Sequence, residues 1–133
     1  MAFSWSRLSH DRLTTCHPAL VQLFERVIKR KDLPCDLTIL CGHRSKSEQD
    51  AAFAKGASKL KYPKSKHNSW PSMAVDVAPY VNGAPSWDWA WYNKVAPIIK
   101  DEWALLGYPG FRLTWGGDWS SFKDGPHWEL SAI

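Results

Sequence analysis

The sequence predicts an α+β fold, a small and mostly antiparallel sheet flanked by helices. Three observations predict it. Three stretches carry helix start and stop signals, and four short stretches carry the apolar, β-branched and aromatic residues of strands. The two kinds do not follow the strict strand–helix–strand alternation that a parallel sheet needs. At 133 residues the chain suits one domain, positions 1–133, which buries roughly two-thirds of its unfolded surface.

The elements follow in order. From Pro18, "PALVQLFERVIKRK" sets Leu20, Leu23, Phe24, Val27 and Ile28 on one helical face. Proline is tolerated in a first turn because the N–H it lacks has no partner there, and basic residues at the other end complement the helix dipole. "CDLTILCG" reads as a short strand. "SKSEQDAAFAKG" opens with Ser45 and Glu48 at capping-box spacing, and Gly56 can end that helix. "MAVDVAP" alternates, with Met73, Val75 and Val77 on one side and Ala74, Asp76 and Ala78 on the other. "NGAPS" is a turn. "SWDWAWYNKVAPIIKDEWALLG" predicts a helix with Ser86 as N-cap and Gly107 as stop. Pro97 removes a donor and crowds the preceding turn, so a kink or division is expected there. "FRLTWGG" and "PHWEL" read as two more strands, the second with His127 and Glu129 on one face and Trp128 and Leu130 on the other.

Composition narrows the function. Hydrophobic residues at 44% and charged residues at 23% are globular values. Nine Trp suit either a core or a stacking surface for sugars or bases. The net charge of +4 favours an anionic partner, and positive charge is dense in "KGASKLKYPKSKH", which runs into His67. No nucleic-acid recognition motif accompanies these lysines, so nucleic acid is not the expected partner. Cys16, Cys35 and Cys41 are odd in number and form no C-x-x-C pair. The N-terminus lacks the apolar stretch of a signal peptide, and no apolar run is long enough for a bilayer. The expectation is a protein with free thiols that accumulates in the cytoplasm until release, without membrane insertion.

The chemistry concentrates in two segments. "KSKHNSWPSMAVDVAPY" holds His67 and Asp76, and "KDGPHWEL" holds Asp124 and His127. A catalytic zinc takes three nitrogen or oxygen ligands and keeps a fourth position open. Two His and one Asp meet that count without any Cys. Asp124, three residues before His127, then sits where a carboxylate can take a proton from water at the open position and pass it to a leaving amine. Arg44 follows a strand and precedes a capped helix, a place from which a guanidinium can bind a carboxylate or an oxyanion. Gln49 lies one turn further on. Taken singly, each of these residues also suits a cap, a turn or an ion pair. His43 reads as a strand-end residue, and His10 and His17 as structural or exposed.

Together, "GHRSKSEQ", "GASK", "SKH…AVDVAPY" and "WGGDW…DGPHWEL" resemble the zinc-dependent peptidoglycan peptidases related to D-Ala-D-Ala carboxypeptidases. The likeness is greatest to the L-alanyl-D-glutamate endopeptidases that serve as phage endolysins, and it runs from about Leu20 to Leu130. It implies the hedgehog and D-Ala-D-Ala-peptidase type of fold, with His67, Asp76 and His127 as Zn2+ ligands. It implies Asp124 as general base, where other members carry Glu, Arg44 as the group that binds substrate or steadies the oxyanion, and Gln49 as a substrate contact. Eight residues separate His67 from Asp76, more than in many relatives, which have a Gly between. The extra "NSWPS" is expected to bulge beside the metal, with Trp70 as one wall of a substrate subsite.

The activity implied is hydrolysis of an amide in the peptide stem of peptidoglycan, L-alanyl-D-glutamate foremost, by a monomer without an appended wall-binding domain. A D-Ala-D-Ala carboxypeptidase uses the same core, and a zinc-containing wall-binding module without turnover is the alternative of a different class. The acid at Asp124 weighs against that last reading, since a binding module does not need it.

Overall fold

The computed structural model describes residues 3–133. Four helices, α1 (Arg7–Leu13), α2 (Pro18–Val27), α3 (Lys46–Ala54) and α4 (Trp89–Leu106), accompany five strands. The strands are β1 (Asp36–Cys41), β2 (Ala74–Val81), β3 (Ala84–Pro85), β4 (Phe111–Trp115) and β5 (His127–Ala132). They form one sheet in the order β1-β2-β5-β4, with β3 paired to β2, and every pairing is antiparallel. The expected α+β architecture is therefore present.

One apolar layer joins helices to sheet. Leu20, Leu23, Phe24 and Val27 of α2 and Val95, Ala96 and Ile99 of α4 share a buried cluster with Ile39, Val75, Val77, Trp128 and Leu130 of the strands. The opposite orientation of Asp76 and His127 follows from the two-residue period of a strand. Arg26 of α2 donates to Glu102 of α4 at 2.7 Å, and Arg30 donates to Asp101 at 2.8 Å. These two basic residues thus clasp two helices.

The structure adds one helix, moves one cap and leaves one helix undivided. The N-terminal segment forms α1. Ser6 caps it by accepting from the Ser9 amide, and its side chains occupy the outer edge of β1: Arg12 donates to the Ile39 carbonyl at 3.0 Å, and Ser9 Oγ accepts from the Ile39 amide at 3.0 Å. A helix that supplies partners to an edge strand blocks pairing with another chain. The last long helix begins at Trp89 with Asp88 as its cap, accepting from the Ala90 amide, so Ser86 is not the N-cap. That helix also continues through Pro97, which does not divide it. The other signals hold: Ser45 and Glu48 form a reciprocal capping box, and Gly107 ends α4 at φ 62°, a left-handed conformation that glycine adopts without a Cβ clash.

Candidate functional site

The face of the sheet turned away from α2 and α4 carries the polar cluster. Asp76 of β2 pairs directly with His127 of β5, so their side chains stand side by side. His67 reaches the same place from a different element. Ser65 caps a 3-10 turn over Lys66–Asn68, and this turn drops the His67 ring into the interior with 2% of its surface exposed. Ser72 anchors the end of the "NSWPS" bulge: its amide donates to Thr15, its carbonyl accepts from the His17 amide, and its hydroxyl donates to the Gly42 carbonyl.

The imidazoles are oriented by what lies behind them. His67 Nδ1 is 2.7 Å from the Gly42 carbonyl and donates to it, which leaves Nε2 facing Asp76 Oδ1 at 3.3 Å. That Nε2 is buried and lacks a hydrogen-bond partner among the described residues. His127 is reversed: Nε2 donates to Glu129 at 2.8 Å, and Nδ1 lies 3.2 Å from the same Asp76 oxygen. Lys66 Nζ stands 3.5 Å behind Glu129. Backing each ring nitrogen by a backbone carbonyl or a carboxylate fixes the tautomer and leaves the other nitrogen's lone pair for a metal. A buried ring nitrogen with no other partner, a second imidazole with its ring centroid 5.3 Å away and a carboxylate facing both are donors of the kind a zinc ion takes.

Asp124 hangs over this group from a tight turn. Its amide donates to Gly116 and its carbonyl accepts from the His127 amide. Trp115 Nε1 donates to the Gly125 carbonyl at 2.7 Å, pinning the turn from below. One ligand-type atom from each of Asp76, Asp124 and His127 lies within 4.8 Å of the others. A Cβ at Gly116 would collide with the Asp124 carbonyl, and one at Gly117 with the Trp115 ring, so the first glycine of "WGG" makes room for Asp124's turn and the second for the tryptophan.

Charge couples these groups. Burial presses the His67 and His127 pKa values down, but Asp76 more than offsets it and both imidazoles end above the usual histidine value. Burial works against the Asp76 carboxylate too, and the two histidines overcome it, holding its pKa well below the usual carboxylate range. Asp124 moves the other way: burial raises its pKa, and the Asp76 charge adds to the rise. Two nearby carboxylates are thereby separated into a permanent anion and a proton acceptor that is easier to protonate.

A cleft of about 630 Å³ opens onto the cluster. Arg44, Lys59 and Lys123 bring positive charge to its wall, and Trp119 and Phe122 bring aromatic surface. The Trp119 ring centroid lies 5.1 Å from that of His127.

Residues 1–130 match the family model described as phage L-alanyl-D-glutamate peptidase. The chain belongs to this family. It is 32% identical to the L-alanyl-D-glutamate peptidase of Escherichia phage T5 over 131 residues, 93% of this chain and 87% of that protein. Its fold matches the crystal structure of the Serratia marcescens L-Ala D-Glu endopeptidase ChiX with a TM-score of 0.79 at 27% identity, covering 96% of this chain and 90% of that one.

Among this family member's expected site residues, His67, Asp76, His127 and Asp124 converge, and Arg44 joins them with its guanidinium 3.8 Å from Asp76. Two others take different positions. Gln49 is fully buried, and its amide is used up within the chain. Its oxygen accepts from Arg44 at 2.8 Å and Asn68 at 3.2 Å, while its nitrogen donates to Ser58 and the Leu60 carbonyl. That leaves no free group for a substrate, so Gln49 orients Arg44 and ties α3 to the loops. Trp70 is 71% exposed and packs edge-on against His43. It lies outside the cleft lining, where Trp119 and Phe122 supply the aromatic surface instead. His17 proves structural: it caps α2 by accepting from the Ala19 amide at 3.0 Å.

Sequence reasoning missed Gly42, Glu129 and Trp119. A signal for Glu129 was present, since it shares a strand face with His127. Gly42 has no such signal, because its reason is tertiary: a Cβ there would strike the Arg12 carbonyl and the Thr15 side chain.

Proposed function

We propose that the protein is a zinc-dependent, endolysin-type peptidoglycan peptidase that hydrolyses the L-alanyl-D-glutamate bond of the peptide stem. The observation that carries this reading is the pair of inward ring nitrogens, His67 Nε2 and His127 Nδ1, converging on Asp76 beneath Asp124. The family and both named relatives support the choice of bond.

His67, Asp76 and His127 would hold the ion. When bound, zinc supplies Lewis acidity, lowering the pKa of water toward about 7 and polarising a carbonyl. Asp124 accepts the proton of the attacking water and returns it to the leaving amine, a role suited to its raised pKa. Arg44, steered by Gln49 and facing the cleft, offsets the negative charge that develops on the scissile carbonyl or holds a substrate carboxylate. Lys59 and Lys123 extend the positive wall toward an acidic stem.

Intact sacculi digested with the zinc-loaded protein and resolved by mass spectrometry are expected to yield stem peptides with a new D-Glu amino terminus. Release of free D-Ala instead identifies the carboxypeptidase, and unchanged sacculi with bound protein identify a wall-binding module. Glu129→Ala removes the carboxylate behind His127. It is expected to weaken zinc binding about 10–100-fold, read by competition with a chromogenic chelator.

The same reading has a monomer that accumulates inside the host cell until release. All three cysteines are free, which suits a reducing compartment, and no described helix is long and apolar enough to cross a membrane. Efficient export of the protein when expressed alone is the result that overturns it.

A further inference from the structure

We propose that Cys41, with His67 and Asp76, forms a second ligand set in the same site, one that captures thiophilic divalent ions such as Cd2+. The inference rests on the metal reading above and extends it to a residue that reading leaves idle.

Asp76 has a cross-strand partner on each side. His127 is its partner on β5, and Cys41 is its partner on β1. In a regular strand Cys41 would share the face of Ile39, which is fully buried in the core. A register shift between Ile39 and Cys41 breaks that alternation. Such a bulge re-aims the side chain that follows it, and Cys41 is turned toward the polar cluster. One ligand-type atom from each of Cys41, His67 and Asp76 lies within 4.8 Å of the others. His67 Nε2, the nitrogen the metal reading also uses, is buried and has no hydrogen-bond partner among the described residues, so the set contains a donor open to an ion. Cys41 is also half-buried, whereas Cys16 and Cys35 are closed off in the core.

The two sets differ in chemistry. His67, Asp76 and His127 offer nitrogen and oxygen, while replacing His127 by Cys41 adds sulfur, which favours soft ions. Binding through Cys41 releases its thiol proton to solvent and leaves the sulfur as a thiolate ligand. An ion drawn to the β1 side of Asp76 is drawn away from His127 and from Asp124, so it occupies the site without supporting hydrolysis.

The test titrates the metal-free full chain with Cd2+ and follows the ultraviolet thiolate-to-cadmium charge-transfer absorption. The band is expected to saturate at a single equivalent, to vanish in Cys41→Ser and to persist in His127→Ala. A band that remains in Cys41→Ser, one that disappears in His127→Ala, or none in the wild type overturns the inference. Cys41→Ala supplies the same reading should the serine hydroxyl disturb the strand. Zinc stoichiometry and peptide release are measured on the same preparations. A missing cadmium band beside normal zinc-supported cleavage defeats only the second ligand set, whereas failure to bind zinc defeats the metal reading itself.

Discussion

Asp124→Asn is expected to lower kcat by about 10²–10⁴-fold, the usual worth of a positioned general acid–base group. Zinc content is expected to remain at the wild-type level, because the three side chains assigned to the ion are untouched. Asparagine keeps the size of the side chain and the backbone bonds to Gly116 and His127, so the loss isolates the proton acceptor from the turn that presents it. The pH profile offers a second readout. Asp124 must be ionised to act as base, and burial together with the Asp76 charge raises its pKa. The wild-type rate should therefore fall as decreasing pH protonates Asp124, and the variant's residual rate should lack that limb. Near-wild-type cleavage of sacculi by Asp124→Asn removes Asp124 from the mechanism.

Asp76→Asn is expected to have the broadest consequence. Among the described residues Asp76 is the side chain that faces both inward ring nitrogens, and its loss should abolish zinc binding and with it cleavage. The metal-free protein should respond as well, and the sign follows from linkage. Both histidines have folded pKa values raised above the unfolded value of 6.5. Their contribution to stability is therefore complete below about pH 6.5 and is lost as pH rises through the folded values. Asp76 has a depressed pKa, so its contribution is present above the unfolded carboxylate value and lost as pH falls well below it. Metal-free wild type is thus most favoured between these limits, and its Tm should decline on the alkaline side. Removing one member of a buried charge cluster costs about 3 kcal/mol, so at pH 6 the variant should melt earlier and its Tm should lose the alkaline decline. Zinc competes with the protons on the two imidazoles, so the Tm gain from zinc in the wild type should grow from pH 6 to 9. Both are read by calorimetry with and without chelator. A variant that binds zinc like wild type would show that Asp76 is not a ligand.

Much of this architecture was legible locally. Ser45 and Glu48 announce a helix start because a capping box is satisfied within four residues. The alternation around Asp76 places it opposite Val75 and Val77 for the same kind of local reason. Positions that depend on distant backbone were harder to read. Ser86 and Asp88 are both good caps; in the fold the Ser86 carbonyl accepts from the Tyr92 hydroxyl and its side chain from the Asp88 amide, while Asp88 caps the helix. The short α1 has little apolar periodicity, and it is held by hydrogen bonds to β1 that no local pattern reveals.

The sequence by itself determined the class of fold and the identity of the reactive groups, because side-chain chemistry and short-period patterning are properties of the chain alone. Only the tertiary structure decided how those groups are used. Gln49 turned inward because Arg44, Asn68, Ser58 and Leu60, from three separate segments, saturate its amide. The two imidazoles present opposite nitrogens because one is backed by the Gly42 carbonyl and the other by Glu129. Cys41 meets Asp76, 35 positions further along the chain, because a bulge shifts the register between their strands. Each outcome depends on which polar group finds a partner across long sequence separation, and a buried polar group takes its role from that partner.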